Sequence, residues 1–118
     1  MKKIIALLLV LFILVGCAPK QEEEKLLKVL TSSGYPPYEM TKPDGTLEGF
    51  DIDFAEALAL ELGYDGVEWV DMDFGGIIAA LNNEGADMAI AGMSADPERD
   101  VIFSIPYLVR DRSEEHTS

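Results

Sequence analysis

The chain has 118 residues, 48% of them hydrophobic and 26% charged, a globular composition, neither disordered nor low-complexity. Its formal charge of −13, from 22 acidic against 9 basic residues, offers no basic face to nucleic-acid phosphates or to an anionic membrane surface. The acidity reads as a solubilising surface, and no nucleic-acid partner is expected.

The N-terminus reads as a targeting segment. Met1-Lys2-Lys3 supplies positive charge and Ile4–Val15 is an unbroken apolar run. That run suits the h-region of a signal peptide and is short of the roughly 20 residues of a membrane-spanning helix. It closes on Leu14-Val15-Gly16-Cys17, which resembles a bacterial lipobox. The resemblance implies a lipoprotein signal peptide over 1–16, a lipidated Cys17, and an extracytoplasmic chain anchored by lipid to the cell membrane. Cys17 is the only cysteine, so no intrachain disulfide can form. Acylation would also remove a thiol otherwise exposed to an oxidising compartment. Residues 17–25 then form a flexible polar tether.

The folded domain is expected to start at Leu26. Leu26–Ser32 is a short apolar run, read as a buried strand. Gly34-Tyr35-Pro36-Pro37-Tyr38 follows, where two prolines exclude helix and central strand and leave a fixed loop. Asp44-Gly45 marks a tight turn between two short extended pieces. Residues 50–63 carry the clearest helical period, with Ile52, Ala55, Leu58, Ala59 and Leu62 on one face. Asp51 and Asp53 sit where the helix dipole favours them, and Gly63 closes the helix. Val67–Val70 reads as the next strand. Residues 71–85 read as a second helix through Phe74, Ile77, Ile78 and Leu81, with a first turn weakened by Gly75-Gly76. Met88–Ala91 reads as a third strand. A short helical turn is expected from Asp96 as N-cap, Pro97 and Glu98, before extended structure resumes over 101–109. Strands alternating with helices imply βαβ units and a mostly parallel sheet, an α/β fold.

In such sheets ligands bind beyond the carboxyl ends of the strands. This selects the loops after the first, second and third strands. Tyr35, on its proline-stiffened loop, and Phe74 could flank an apolar stem or a cation. Taken alone, each reads first as a packing residue. Gly92 allows close backbone approach. Ser94 offers a hydroxyl and an N–H before the expected helical turn, and the Arg99 guanidinium matches a carboxylate. The other reading is a capped surface helix with Arg99 paired to Glu98 or Asp100.

These segments, from "GYPPYEM" through "GFDIDFAEALALELG" and "ADMAIAGMSADPERD" to "FSIPY", resemble the bacterial extracellular solute-binding proteins of family 3, the polar amino-acid receptors of ABC importers. The resemblance runs from Leu26 to Val109. It implies a periplasmic-binding-protein-like fold of type II, with an incomplete first lobe over 26–111 and the second lobe absent. It implies that Arg99 grips a ligand α-carboxylate with help from Ser94, that the Gly92 carbonyl lies near the α-amino group, and that Tyr35 and Phe74 flank the side chain. Ser32 stands where many binders of basic amino acids have aspartate, and Ala91 where some have serine; both departures weaken the case for a basic ligand, and a neutral polar or acidic amino acid fits as well. The implied partners are a small-molecule amino acid and a membrane permease, with the receptor a monomer. Neither a cofactor nor a metal is expected.

The same fold also occurs in sensor domains and in dehydratase-like enzymes. Glu39 and Asp51 are the acids an enzyme could use there, although Asp51 reads more simply as a helix-start residue. No nucleophile–base pair or metal cluster is legible, so no enzymatic activity is expected. A lone lobe exposes half a site, and weak binding is the expectation for this polypeptide alone. At the far end, residues 112–118 do not match the family, and a reverse translation of "RSEEHTS" resembles a sequencing-library adapter. The expectation is a non-native tail, in which His116 has no role.

Overall fold

A computed structural model of the chain describes residue 16, residues 19–83 and residues 85–109. The expected signal peptide up to Val15, the lipidated Cys17, and the 112–118 tail with His116 lie outside the described residues.

Strand β1 spans Leu26–Thr31. It is the centre of a three-stranded sheet of order β4-β1-β5. It pairs in parallel with β4 (Gly66–Asp71), from Leu26 opposite Gly66 to Thr31 opposite Asp71, and in parallel with β5 (Met88–Ala89). Two aspartates lock the register at the amino ends of the strands. Asp65 accepts the Lys25 N–H at 2.7 Å, and Asp87 accepts the Lys28 N–H at 2.9 Å.

A central strand is covered on both faces, which explains why β1 is almost continuously apolar. Leu27 and Val29 face one way, onto Ala55 and Ala59 of helix α1 (Phe50–Glu61). Leu30 faces the other, onto Ile77 of helix α2 (Ile77–Asn82). The fold is therefore a three-layer α/β unit, with one helix on each side of the sheet. Ile77 is fully buried, so Ile77→Ala is expected to cost about 2–5 kcal/mol, read as a lower midpoint in chemical denaturation.

The expected turn at Asp44-Gly45 joins strands β2 (Met40–Thr41) and β3 (Leu47–Glu48), an antiparallel pair outside the main sheet. The Asp44 carboxyl accepts from the Thr46 N–H and hydroxyl, and these bonds hold it below the ordinary carboxylate range. Helix α1 then begins without a side-chain cap. Its orphan donors reach back into the proline loop instead: Phe50 N–H to the Pro37 carbonyl at 3.0 Å, and Asp51 N–H to the Tyr38 carbonyl at 3.1 Å. At its other end, Gly63 N–H bonds the Leu60 carbonyl and Tyr64 N–H the Ala59 carbonyl, the paired pattern that closes helices around a glycine.

Four expectations need correction. Leu62 continues the apolar period of α1 but lies beyond its last turn and is 56% exposed. The second helix is shorter than its pattern. Phe74–Gly76 forms a 3₁₀ turn, and only Ile77–Asn82 is α-helical, as the low helix propensity of Gly75-Gly76 favours. Asp96 does accept the Glu98 N–H at 2.9 Å as a cap would, yet only one turn forms, closed by Arg99 N–H to the Asp96 carbonyl. Of the apolar residues that follow, Ile102, Ile105 and Val109 are exposed and Tyr107 is only partly buried against the core, and a short helix without packing does not persist. For the same reason residues 101–109 form no strand among the described residues.

Candidate functional site

All of the candidate ligand residues meet at one place. A cavity of about 440 Å³ opens beyond the carboxyl ends of β1, β4 and β5, lined by Ser32, Tyr35, Glu39, Phe74, Gly92, Ser94 and Arg99 among others. A second hollow, of about 480 Å³, lies between α2 and residues 99–102 and shares Arg99. The first is the better candidate because the parallel strands aim polar groups from three loops into it.

Each wall has a structural cause. The loop after β1 is pinned to the end of β4. Asp71 accepts the Ser33 N–H at 2.8 Å and its hydroxyl at 2.5 Å, and Met72 N–H bonds the Thr31 carbonyl. The proline loop folds back on itself, with Tyr35 bridged to Glu39. This sets the Tyr35 ring 5.1 Å from Tyr38, with Tyr35 half exposed at the cavity rim. Phe74 stands across the rim on the 3₁₀ turn and is also half exposed. Both aromatics are thus on the surface of the cavity rather than in the core.

Arg99 is not paired to Glu98 or Asp100. Among the described residues no carboxylate lies within ion-pair distance of it. Its Nη1 donates to the Ser94 carbonyl at 3.0 Å, and its guanidinium lies 5.7 Å from the centre of the Phe74 ring. The cation is thereby held over the cavity while the rest of its donor fork remains available to an anion. Ser94 lines the cavity as expected, but from irregular backbone and not from a helix start.

Gly92 sits at φ +59°, where a side chain is strained. A Cβ there would approach Tyr35 ring carbons to 2.8 Å. The glycine therefore does two things: it permits the backbone turn and it makes room for the aromatic wall.

Behind these residues lies a group that sequence reasoning valued differently. Glu39 and Asp51 are both fully buried. Asp51, read as a helix-start residue, turns its carboxyl inward: one oxygen accepts the Gly92 N–H at 2.7 Å, the other the Tyr107 hydroxyl at 2.8 Å. Burial and then the Asp51 carboxyl raise the Tyr107 phenol above its ordinary value, so it stays a donor. Both oxygens of Glu39 lack a donor among the described residues. Burial and the neighbouring Asp51 carboxyl raise Glu39 from 4.5 to about 9. The sequence signal available was the acid spacing in "YEM" and "GFDID"; nothing in periodicity says that those carboxyls point inward.

Comparison with known proteins gives a consistent picture. The model of the bacterial extracellular solute-binding proteins, family 3, matches residues 27–114. The arginine-binding extracellular protein ArtP of Bacillus subtilis is 37% identical over 106 residues, covering 84% of this chain and 41% of that protein. The arginine-bound form of domain 1 from TmArgBP superposes with a TM-score of 0.60 at 37% identity, over 64% of this chain and 59% of that one. An ancestral cyclohexadienyl dehydratase gives a TM-score of 0.64 at 38% identity, over 71% of this chain and 35% of that one. The chain thus spans less than half the length of the curated relative it matches.

Proposed function

The chain belongs to the bacterial extracellular solute-binding proteins, family 3, and from that premise we propose that it carries the ligand-gripping lobe of an amino-acid receptor serving an ABC importer. The observation that carries this reading is the convergence on one cavity of Arg99, Ser94 and Gly92, with the guanidinium free of any carboxylate among the described residues. Arg99 takes the α-carboxylate, Ser94 supports it, the Gly92 backbone meets the α-amino group, and Tyr35 and Phe74 flank the side chain.

The side chain that fits is cationic, with arginine first. Ser32 lacks the acid that such a ligand would meet, but the Asp71 carboxylate lies one layer deeper, behind Ser33. Relatives and structural neighbours that bind arginine support the same class. The receptor acts outside the cytoplasm, held by lipid on Cys17, as a monomer that delivers its ligand to a permease. Titrating the labelled chain with arginine, glutamine and glutamate, and following Gly92 and Ser94 by NMR, tests the ligand class. Arginine is expected to move both signals at the lowest concentration; a preference for glutamate would overturn it. The arginine-bound single domain of TmArgBP favours measurable binding by one lobe, against the expectation of weak binding.

Binding without catalysis is the accompanying proposal, supported by the arginine-binding proteins among the relatives. Incubation with a cyclohexadienyl substrate is expected to give no dehydrated product. Gly92→Ala tests the wall: the added methyl must displace the Tyr35 ring, and a φ > 0 conformation strains it by about 1–3 kcal/mol. Arginine affinity is expected to fall about tenfold or more, measured by the same titration.

A further inference from the structure

The segment from Gly92 to Ser94 meets the ligand in the reading above, yet the sheet does not hold it. Strand β5 ends at Ala89, and the last ladder-like bond is Ile90 N–H to the Leu30 carbonyl. Beyond that point, among the described residues, two side chains hold the segment: Arg99 at Ser94, and Asp51 at Gly92. Arg99 is itself engaged by ligand in that reading. Asp51 is not, being fully buried beneath the cavity.

Asp51 has a second bond that gives it leverage. Its other oxygen accepts the Tyr107 hydroxyl, and the Tyr107 ring stacks on Phe54 of α1 at 4.7 Å and Phe50 at 6.2 Å. One carboxyl thus ties together the helix α1 start, the ligand-facing glycine and the segment leaving the lobe. Glu39 completes the set. It has no donor of its own among the described residues, and its Oε1 lies 3.8 Å from where a Gly92 Cβ would stand, beside the group that Asp51 holds. Two buried carboxylates cannot both be ionised side by side at low cost, whereas a shared proton makes the pair a hydrogen bond.

Resting on the amino-acid reading of this cavity, we propose that Asp51 is the positioning residue of the site, and that a proton carried on Glu39 completes the carboxyl that fixes the Gly92 backbone. The charged and titratable groups around Glu39 are Asp51 from α1, Asp71 at the end of β4, Tyr107 from the exit segment, Tyr35 and Tyr38 of its own loop, and Arg99 across the cavity. Desolvation and the two aspartates all favour the protonated form. The folded chain then keeps a proton that the unfolded chain releases above 4.5. Stability falls as pH rises from 4.5 to about 9, and Asp51 loses the Glu39 proton only as pH passes through about 9.

The test reads Gly92 in the ligand-free chain. Carbon-detected NMR, which tolerates fast amide exchange, follows the Gly92 nitrogen between about pH 6 and about pH 10. It is expected to titrate with a midpoint far above that of an ordinary carboxyl. In Glu39→Gln the amide donates to Asp51 at every pH, so Gly92 should stay at its low-pH position and cease to titrate. In Asp51→Asn the Gly92 signal should shift at all pH values and arginine affinity should fall about tenfold, the loss of one charge-assisted bond. A Gly92 signal that is silent in the parent chain, or titrates unchanged in Glu39→Gln, overturns the proposal. Should Asp51→Asn fail to fold, Glu39→Gln still decides. A silent Gly92 with arginine bound removes the positioning role alone; a chain that titrates at Gly92 but binds no amino acid removes the ligand reading and the role built on it.

Discussion

Replacing Arg99 by alanine is expected to weaken arginine binding by ~2–5 kcal/mol, the range for deleting one partner of a desolvated charge pair. At about 1.4 kcal/mol per decade this is more than tenfold in affinity. The expectation follows from what holds Arg99. No carboxylate among the described residues neutralises it; one nitrogen bonds the Ser94 carbonyl, and the ring of Phe74 lies beneath the guanidinium. These contacts orient the group and leave its charge without a counter-ion. Alanine would therefore remove the cation with little effect on folding, so affinity and melting temperature should separate. Arg99→Lys keeps the charge but lacks the planar fork that meets a carboxylate with two parallel bonds, and an intermediate loss is expected. Calorimetric or NMR titration with arginine gives the comparison, and an unchanged dissociation constant for Arg99→Ala would remove this residue from the site.

The site was legible to the extent that it depends on chain punctuation. The prolines at 36 and 37, Gly92 and the run from Ser94 to Arg99 fall in loops that follow strands, and a parallel sheet brings such loops to one edge. The six candidate residues accordingly line a single cavity. Strands β1 and β4 and helix α1 were legible for a related reason. Their apolar residues face a core on a fixed period, as Leu27 and Val29 against Ala55 and Ala59 illustrate.

What periodicity could not show is where polar side chains turn. Asp51 occupies the first turn of a helix, where an acid needs no further explanation, yet its carboxyl serves a glycine 41 positions away in sequence. Glu39 follows a tyrosine in a proline loop and is fully buried. Both depend on long-range contacts that no local window contains. The segment from Asp96 to Val109 failed in the opposite sense. Its local signals for a helix start and a strand are sound, but Ile102, Ile105 and Val109 find no core to bury in. Local preference of a few tenths of a kcal/mol per residue does not hold an element that lacks packing.

Gly49→Ala should be the most damaging single-methyl change outside the core. Gly49 precedes α1 at φ +133°, a region that side chains avoid, at a cost of about 1–3 kcal/mol. Its surroundings add a steric conflict. A Cβ built there would lie 2.2 Å from the Tyr38 carbonyl oxygen and 3.0 Å from that of Pro37. Neither oxygen can retreat freely, since the Tyr38 carbonyl accepts the Asp51 N–H and the Pro37 carbonyl the Phe50 N–H. Relieving the contact means breaking the two bonds that start the helix, and overpacking of this kind adds about 1–3 kcal/mol. The sum is a large share of the stability of a small domain, about 5–15 kcal/mol. The expected result is a strongly lowered melting temperature by circular dichroism. Because the same joint aims Asp51 at Gly92, any folded fraction should also show a displaced Gly92 signal. A Gly49→Ala chain that melts with the parent would mean that the proline loop yields easily, and that the geometry of Asp51 does not depend on it.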